Sequence, residues 1–269
     1  MDALVAITTM SVCLLHNTSR KILAILEECT VLENTHALRP SPQLLRIGHR
    51  GAAGHAPENT IAAIHKGISL GVDFVEVDVQ CTRDGRLVVM HDNLVDRTTD
   101  GTGLVSDLTW DELQLLDAGN GERVPSLEAA LAAANGHAGV MLEAKAPGIG
   151  QAIYRAVRAS AFSGPVIYAS FLHVEILEIH KIDPLARTMA LMECVPLSGA
   201  AFAREANATL VGLALDFATA EFIATLHDAG LDVWLYTVND PRQIQRAIDL
   251  GADGIISDYP DRVPKIRPT

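Results

Sequence analysis

The feature that most constrains the fold is an alternation of short apolar segments with segments of helical periodicity. Strand-like segments are centred near residues 45, 75, 141, 167, 189, 212, 235 and 255, and one extra segment lies near residue 88. Because strands that alternate with helices pair in parallel, eight such steps in about 220 residues predict an α/β fold, a TIM (β/α)8 barrel. A doubly wound open sheet is the alternative arrangement of the same elements.

A separate segment precedes the predicted barrel. A helical pattern that Ser19 could cap is followed by the helix-breaking sequence Arg39-Pro40-Ser41-Pro42. This predicts a short N-terminal helical extension of unknown role at residues 1–43, with the barrel at 44–269. The apolar run Ala3–Leu15 is too short to span a bilayer, and no basic residue precedes it. We therefore expect no stable membrane insertion, and a cytoplasmic rather than a secreted or periplasmic protein.

Charge and cysteine content disfavour several classes of partner. The chain has 33 acidic and 21 basic residues, a formal net charge of −12, which repels nucleic acid and anionic surfaces. The four scattered cysteines include no CxxC pair, which favours free thiols in a reducing compartment. Neither GxGxxG nor a GxxxxGKS or GxxxxGKT loop occurs, which disfavours nucleotide binding through such loops. A phosphate-bearing substrate would therefore need a local positive site.

Polar side chains follow two of the predicted strands, where a TIM barrel carries its active residues. The first strand ends in Gly48-His49-Arg50-Gly51, and the extra strand ends in His91-Asp92. An arginine can grip a phosphate oxygen, and a histidine can move a proton near neutral pH. Gly51 would let the backbone approach a ligand closely. Taken alone, each of these short sequences also fits an ordinary loop or turn.

Two other predicted strands carry charged side chains on one face. Within Phe74–Val79, Glu76 and Asp78 share a face and valines fill the other, because strand side chains alternate. Glu143 and Lys145 likewise share a face at the end of the strand near residue 141. Carboxylates in an apolar strand repel each other unless a divalent cation neutralises them, and oxygen ligands favour Mg²⁺ or Ca²⁺. A solvated edge strand and a surface ion pair are the respective alternatives.

Beyond single positions, ten short motifs follow one another along the predicted barrel. They are His49-Arg50-Gly51, Pro57-Glu58-Asn59-Thr60, Glu76-Val77-Asp78-Val79, Thr82-Arg83-Asp84-Gly85, Val88 to Asp92, Arg97-Thr98-Thr99-Asp100-Gly101, Val124-Pro125-Ser126-Leu127, Leu142-Glu143-Ala144-Lys145, Tyr236-Thr237-Val238-Asn239 and the run from Gly251 to Pro260. The series spans about residues 45 to 262 and resembles the glycerophosphodiester phosphodiesterase family. An ordered series of this length is far more specific than any one motif.

The resemblance implies a TIM barrel that hydrolyses a small-molecule glycerophosphodiester to sn-glycerol 3-phosphate and an alcohol. It assigns roles to the polar strand-end residues: general acid and base to His49 and His91, one divalent cation (Mg²⁺ or Ca²⁺) to Glu76, Asp78 and Glu143, and the phosphate to Arg50 and Lys145. Tyr236 stands where the family often has tryptophan, so substrate packing in that part of the pocket is expected to differ. The segment between His91 and Ser126 is short, which would leave the cleft open.

Two other functions are compatible with these residues. One is a lysophospholipase D-type phosphodiesterase, and the other is a non-catalytic barrel that binds a phosphate ester. A pure binding site has no need for two histidines, which favours an enzyme. We expect no nucleic-acid partner, and the oligomeric state is left open by the sequence.

Overall fold

The structure of the protein is a computed structural model, which describes residues 44–265. Eight parallel strands close into a barrel: β1 pairs with β9 on one side and with β2 on the other, and β4 to β8 complete the ring. Within residues 44–265 the strands are β1 Leu45–Gly48, β2 Phe74–Cys81, β3 Leu87–Val89, β4 Gly139–Ala144, β5 Val166–Ser170, β6 Thr188–Met192, β7 Leu210–Ala214, β8 Asp232–Tyr236 and β9 Gly254–Ser257. The closed ring confirms the TIM barrel and excludes the open sheet.

The extra strand β3 is an antiparallel attachment to the end of β2. Val79 pairs with Val89, and Cys81 pairs with Leu87. The Met90 amide then donates to the Asp78 carbonyl at 3.0 Å. This return of the chain along β2 places His91 beside the carboxyl ends of the barrel strands, although β3 is no part of the ring.

Helices cover the outside of the barrel, and several begin at capping residues. They are α1 Ile61–Ser69, α2 Trp110–Leu113, α3 Leu127–Ala134, α4 Gly150–Ala159, α5 His173–Ile182, α6 Ala201–Glu205, α7 Ala220–Asp228 and α8 Pro241–Asp249. Thr60 and Ser126 cap α1 and α3 through their hydroxyl groups. Thr109 and Glu112 form a capping box at the start of α2.

The alternation of side chains along β2 divides the core into two layers. Val75, Val77 and Val79 pack with the helices, as predicted from the sequence. Phe74 points into the barrel with Trp234, whose ring centroid lies 5.2 Å away. Aromatic and aliphatic side chains thus fill the amino-terminal part of the interior, so charged side chains of the same strands are left for the carboxyl-terminal mouth.

None of the helices within residues 44–265 is long and apolar enough to cross a membrane. The predicted helical extension at residues 1–43 lies outside the described residues. Its existence and role therefore stay predictions.

Candidate active site

Three carboxylates meet inside the barrel mouth. Asp78 of β2 lies directly opposite Glu143 of β4 in the strand register, and Glu76 is two residues before Asp78. Each of the three side chains is buried and offers one oxygen, and these oxygens lie within 4.8 Å of one another. Oε1 of Glu76 is buried without a hydrogen-bond partner among the described residues. Because a buried, unpartnered carboxylate oxygen is costly, this oxygen-only set fits a hard divalent cation.

Burial and neighbouring charges shift the pKa values of these carboxylates in different directions. Burial, together with the charges of Asp78 and Glu143, raises the pKa of Glu76 well above its usual value. Burial and the Asp78 charge raise the pKa of Glu143 to about 7. Burial alone would also raise the pKa of Asp78, but Lys145 and Arg50 hold it below its usual value. Asp78 therefore carries the negative charge most readily, and both glutamates resist ionisation without a cation.

The raised pKa values of the two glutamates predict how the stability of the metal-free protein depends on pH. A glutamate whose pKa is raised on folding stabilises the folded state below its unfolded pKa of 4.5, and that stability is lost as the pH rises towards the folded pKa, about 7 for Glu143. In EDTA, we expect the melting temperature to fall between about pH 4.5 and pH 7, on the order of 5 °C. Thermal unfolding, followed by circular dichroism at several pH values, measures this fall in melting temperature.

Mg²⁺ or Ca²⁺ serves as the control for this pH dependence. An added cation favours the ionised carboxylates, so it should raise the melting temperature more at pH 8 than at pH 5. An equal gain at both pH values, or a melting temperature in EDTA that does not fall across this window, would contradict the prediction.

Two basic side chains lie against the acidic cluster. The Arg50 amide donates to Oε2 of Glu76 at 2.7 Å, and its Nε lies 3.3 Å from Oδ2 of Asp78. Lys145 donates to Oε1 of Glu143 at 2.8 Å, and its Nζ lies 3.5 Å from Oδ1 of Asp78. Both side chains also line the cavity described below. They partly offset the buried negative charge and present positive charge to a ligand.

The backbone conformation of the loop that carries Arg50 is set by the packing of this loop against α1. Arg50 has a φ of 50°, and Gly51 has a φ of 91°. A Cβ at Gly51 would lie 2.4 Å from the backbone of Ala63 in α1. The glycine is therefore required by packing on the helix, rather than by approach to a ligand as the sequence suggested.

The two predicted histidines are each held by a carboxylate. Nδ1 of His49 lies 2.6 Å from Oδ1 of Asp258, and Nδ1 of His91 lies 2.5 Å from Oδ1 of Asp92. Asp92 has a pKa held far below its usual value, first by its hydrogen bond with Arg97. An ionised carboxylate only accepts hydrogen bonds, so Nδ1 of His91 carries the proton and Nε2 is left for proton exchange.

A cavity of about 330 Å³ at the barrel mouth collects most of these side chains. Both histidines, both basic side chains, Glu143 and Tyr236 line it. Glu76 lines a smaller adjoining cavity that shares His49, Glu143 and Tyr236. The Tyr236 hydroxyl donates to the Met192 carbonyl at 2.8 Å, and its ring meets Phe171 edge-on at 6.0 Å. The structure therefore brings together all eight residues selected from the sequence, with Asp78 reached through its contacts with Arg50 and Lys145.

Several residues of the site received no role in the sequence analysis. Asn59 donates to Oδ2 of Asp78 at 2.8 Å, and Asn239 donates to Oδ2 of Asp258 at 2.6 Å. Asp92 binds His91, and Arg97 in turn binds Asp92. Each belongs to a short motif recognised in the sequence, and that membership was the available signal. The carboxylate that Asn239 orients, Asp258, lies 209 residues from its partner His49, so the sequence alone does not reveal that pair.

Comparison with known proteins identifies chains that are similar to this one over most of the barrel. A model of the Glycerophosphoryl diester phosphodiesterase family matches residues 49–262. A glycerophosphodiester phosphodiesterase from Caldanaerobacter subterraneus subsp. tengcongensis is 35% identical over 230 residues, which cover 81% of this chain and 95% of the relative. One from Bacillus subtilis is 31% identical over 254 residues, 84% of this chain and 87% of the relative. An Oleispira antarctica phosphodiesterase, solved in complex with the product sn-glycerol-3-phosphate, has a TM-score of 0.78 and 27% identity, covering 82% of this chain and 95% of that chain.

Proposed function

Since the chain belongs to the glycerophosphodiester phosphodiesterase family and is a phosphoric diester hydrolase, we propose that it cleaves glycerophosphodiesters to sn-glycerol 3-phosphate and an alcohol, with one divalent cation and two histidines. The observation that carries the proposal is the placement of His49 and His91, each fixed through Nδ1, in one cavity with Arg50 and Lys145. A ligand in that cavity meets two proton-exchanging groups and two positive charges at once.

Arg50 and Lys145 hold the phosphate of the diester. A guanidinium and an ammonium suit non-bridging phosphate oxygens through charge-assisted bonds. Burial opposes the charge on both, but the neighbouring carboxylates raise the pKa of Arg50 and of Lys145. Both groups therefore stay positive at neutral pH, when a phosphodiester is negative.

His49 and His91 move the two protons that hydrolysis requires. One histidine removes a proton from the attacking water as the oxygen of that water forms the new bond to phosphorus. The other gives a proton to the alcohol oxygen as its bond to phosphorus breaks. One water is consumed overall, and each histidine returns to its starting state when the protons exchange with solvent. The structure leaves the choice of acid and base between the two open.

Glu76, Asp78 and Glu143 would hold Mg²⁺ or Ca²⁺. These three residues would neutralise a bound cation with their charge, and the cation would supply stabilisation of the phosphate charge worth several kcal/mol in the transition state. Around it, Asn59 fixes the orientation of Asp78, and the backbone of Arg50 fixes Glu76. Tyr236 and Phe171 form an aromatic part of the cavity wall, and Nζ of Lys145 lies 5.9 Å from the centroid of the Phe171 ring.

A second substrate class, lysophospholipids, is favoured by an exposed apolar rim around the mouth. The rim consists of side chains on the loops after β5, β6 and β7, which are neighbouring strands of the barrel: Phe171, Leu172, Val195, Leu197 and Phe217. Phe171 also lines the cavity, so this residue connects the rim to the cavity. A cavity of about 330 Å³ suits a glycerophosphate group, and an acyl chain on the glycerol would lie outside it, across the rim.

A substrate panel tests the proposed function. We expect release of sn-glycerol 3-phosphate from glycerophosphocholine and glycerophosphoethanolamine in Mg²⁺ or Ca²⁺, and none after EDTA. Full activity after exhaustive chelation, or binding of these diesters without any release of product, would contradict the proposal. Release of choline from lysophosphatidylcholine in the same assay tests the second class.

A matched pair of variants shows whether the rim contacts an acyl chain. Leu197→Ser should lower kcat/KM for lysophosphatidylcholine about 10-fold, because a leucine contact with a chain is worth up to a few kcal/mol, and leave glycerophosphocholine unaffected. Leu185→Ser is the control, since Leu185 is also highly exposed but lies between α5 and β6, at the opposite end of the barrel. Equal effects of the two variants would remove the support for the second class.

A further inference from the structure

A continuous chain of ion pairs runs beside the cavity, in the order Arg50, Glu58, Arg97, Asp92 and His91. Oε1 of Glu58 accepts hydrogen bonds from Nη1 of Arg50 at 2.7 Å and from Nη2 of Arg97 at 2.8 Å. Its Oε2 accepts from Nη1 of Arg97 at 2.9 Å. Arg97 then donates to Asp92 through Nε at 2.6 Å and through Nη2 at 3.0 Å. Asp92 binds Nδ1 of His91, so one network joins a phosphate-binding arginine to a proton-transferring histidine.

The middle of this network does not line the main cavity. Within residues 44–265, Arg50 and His91 line the 330 Å³ cavity, whereas Glu58, Arg97 and Asp92 do not. All three guanidinium nitrogens of Arg97 are engaged with the two carboxylates. Any effect of Arg97 on catalysis must therefore pass through its neighbours rather than through contact with the substrate.

The other histidine is held in a different way. The carboxylate that binds His49 belongs to Asp258, and that carboxylate accepts from the neutral amide of Asn239. The amide oxygen of Asn239 in turn accepts from the Asp258 backbone at 2.8 Å. His49 is thus fixed locally at the ends of β8 and β9, whereas the support of His91 extends through Arg97 to Glu58.

The network bears on geometry as well as on stability. The Arg97 side chain is 48% exposed and that of Glu58 is 19% exposed; an isolated exposed ion pair contributes about 0–1 kcal/mol, and pairs joined in a network contribute more. The network also fixes orientation, because the planar guanidinium of Arg97 binds both carboxylates at fixed angles. A displacement of about 1 Å in a catalytic group can cost about 10²-fold in rate.

We propose that Glu58 and Arg97 are positioning residues: Glu58 fixes Arg50 and Arg97 at once, and Arg97 fixes His91 through Asp92, so that the phosphate-binding and proton-transferring groups keep their separation across the cavity. This inference rests on the proposed role of His91. It predicts different kinetic effects for the two residues. Loss of Arg97 removes the support of His91 through Asp92 but leaves the direct hydrogen bond between Glu58 and Arg50 in place, whereas loss of Glu58 removes a direct partner of both Arg50 and Arg97.

The test compares Arg97→Lys, Glu58→Gln and a matched control with glycerophosphocholine as substrate. Lysine keeps the charge of Arg97 but not the fork, so Arg97→Lys should lower kcat about 10- to 10²-fold and change KM less than about 3-fold. Glu58→Gln should lower kcat and also raise KM. Arg83→Lys is the control, because Arg83 pairs with Glu112 at 3.2 Å on the exposed surface away from the cavity, and it should leave both constants unchanged. Melting temperatures of all variants confirm that they are folded.

A double variant distinguishes failure of the positioning role from failure of the proposed function. In a His91→Ala background, adding Arg97→Lys should cause no further loss of kcat, since the two act as one unit. A full further loss in that background, or an Arg97→Lys variant indistinguishable from Arg83→Lys, would overturn the positioning role alone. If His91→Ala itself leaves kcat unchanged, the proposed function fails instead. Asp92→Asn gives a second measure of the same link, and it should reproduce the kcat loss of Arg97→Lys.

Discussion

Glu76→Gln is expected to reduce kcat/KM by about 10³-fold or more. Glutamine keeps the size and one oxygen of Glu76 but lacks the charge, so the cluster loses much of its affinity for a divalent cation. A bound cation contributes several kcal/mol to catalysis, and each 1.36 kcal/mol is a factor of ten. Steady-state kinetics at several Mg²⁺ and Ca²⁺ concentrations, with cation affinity from calorimetry, measure the loss of rate and of binding together.

The same variant should be more stable than the wild type when metal is removed. The buried carboxylate of Glu76, whose Oε1 has no hydrogen-bond partner among the described residues, opposes folding at pH 8, and its burial raises its pKa. Glu76→Gln should therefore raise the melting temperature in EDTA while it abolishes activity. Glu175→Gln is the matched control: Glu175 is also buried, but it accepts the amides of Gly148 and Gly150 near the start of α4. A Glu76→Gln enzyme with wild-type activity and wild-type cation affinity would exclude a metal role for this residue.

His49→Ala and His91→Ala are each expected to lower kcat by about 10²- to 10⁴-fold, the usual range for general acid–base catalysis. Alkoxides are poor leaving groups, so the loss of the acid is severe for an alkyl diester. A substrate with an aryl leaving group barely needs that proton. The histidine whose loss is largely forgiven on an aryl ester is therefore the acid, and the other is the base. Rates on both substrates, measured for both variants, make the assignment.

Two controls test whether the effects of the His49 and His91 variants are specific to proton transfer. His65→Ala should have no effect, since His65 is exposed on α1, away from the cavity. Cation affinity should be nearly unchanged in both active-site variants, because the acidic cluster holds the metal without the histidines. If excess cation restored the activity of His91→Ala, His91 would be a metal ligand. If both variants were equally inactive on both substrates, the proposed division into acid and base would be wrong.

Local sequence patterns were sufficient for the elements and for many of their ends. Alternation along residues 74–79 predicted valines on one face and carboxylates on the other; in the structure the valines pack with the helices and the carboxylates meet inside the barrel. Capping at Thr60, Thr109 and Ser126 depends on residues three positions away, which makes it readable in one dimension. The eight strand–helix steps therefore predicted the barrel before any contact between strands was known.

Other aspects of the protein were decided only by contacts between distant parts of the chain. The strand register places Glu143 opposite Asp78, closure of the ring brings Asp258 to His49, and the antiparallel return of β3 brings His91 to Asp78. The network from Arg50 to His91 likewise joins side chains up to 39 residues apart. Periodicity records which face a side chain occupies, because it follows from local backbone geometry. It does not record which side chain lies across from it, because register and closure are set by packing summed over the whole barrel.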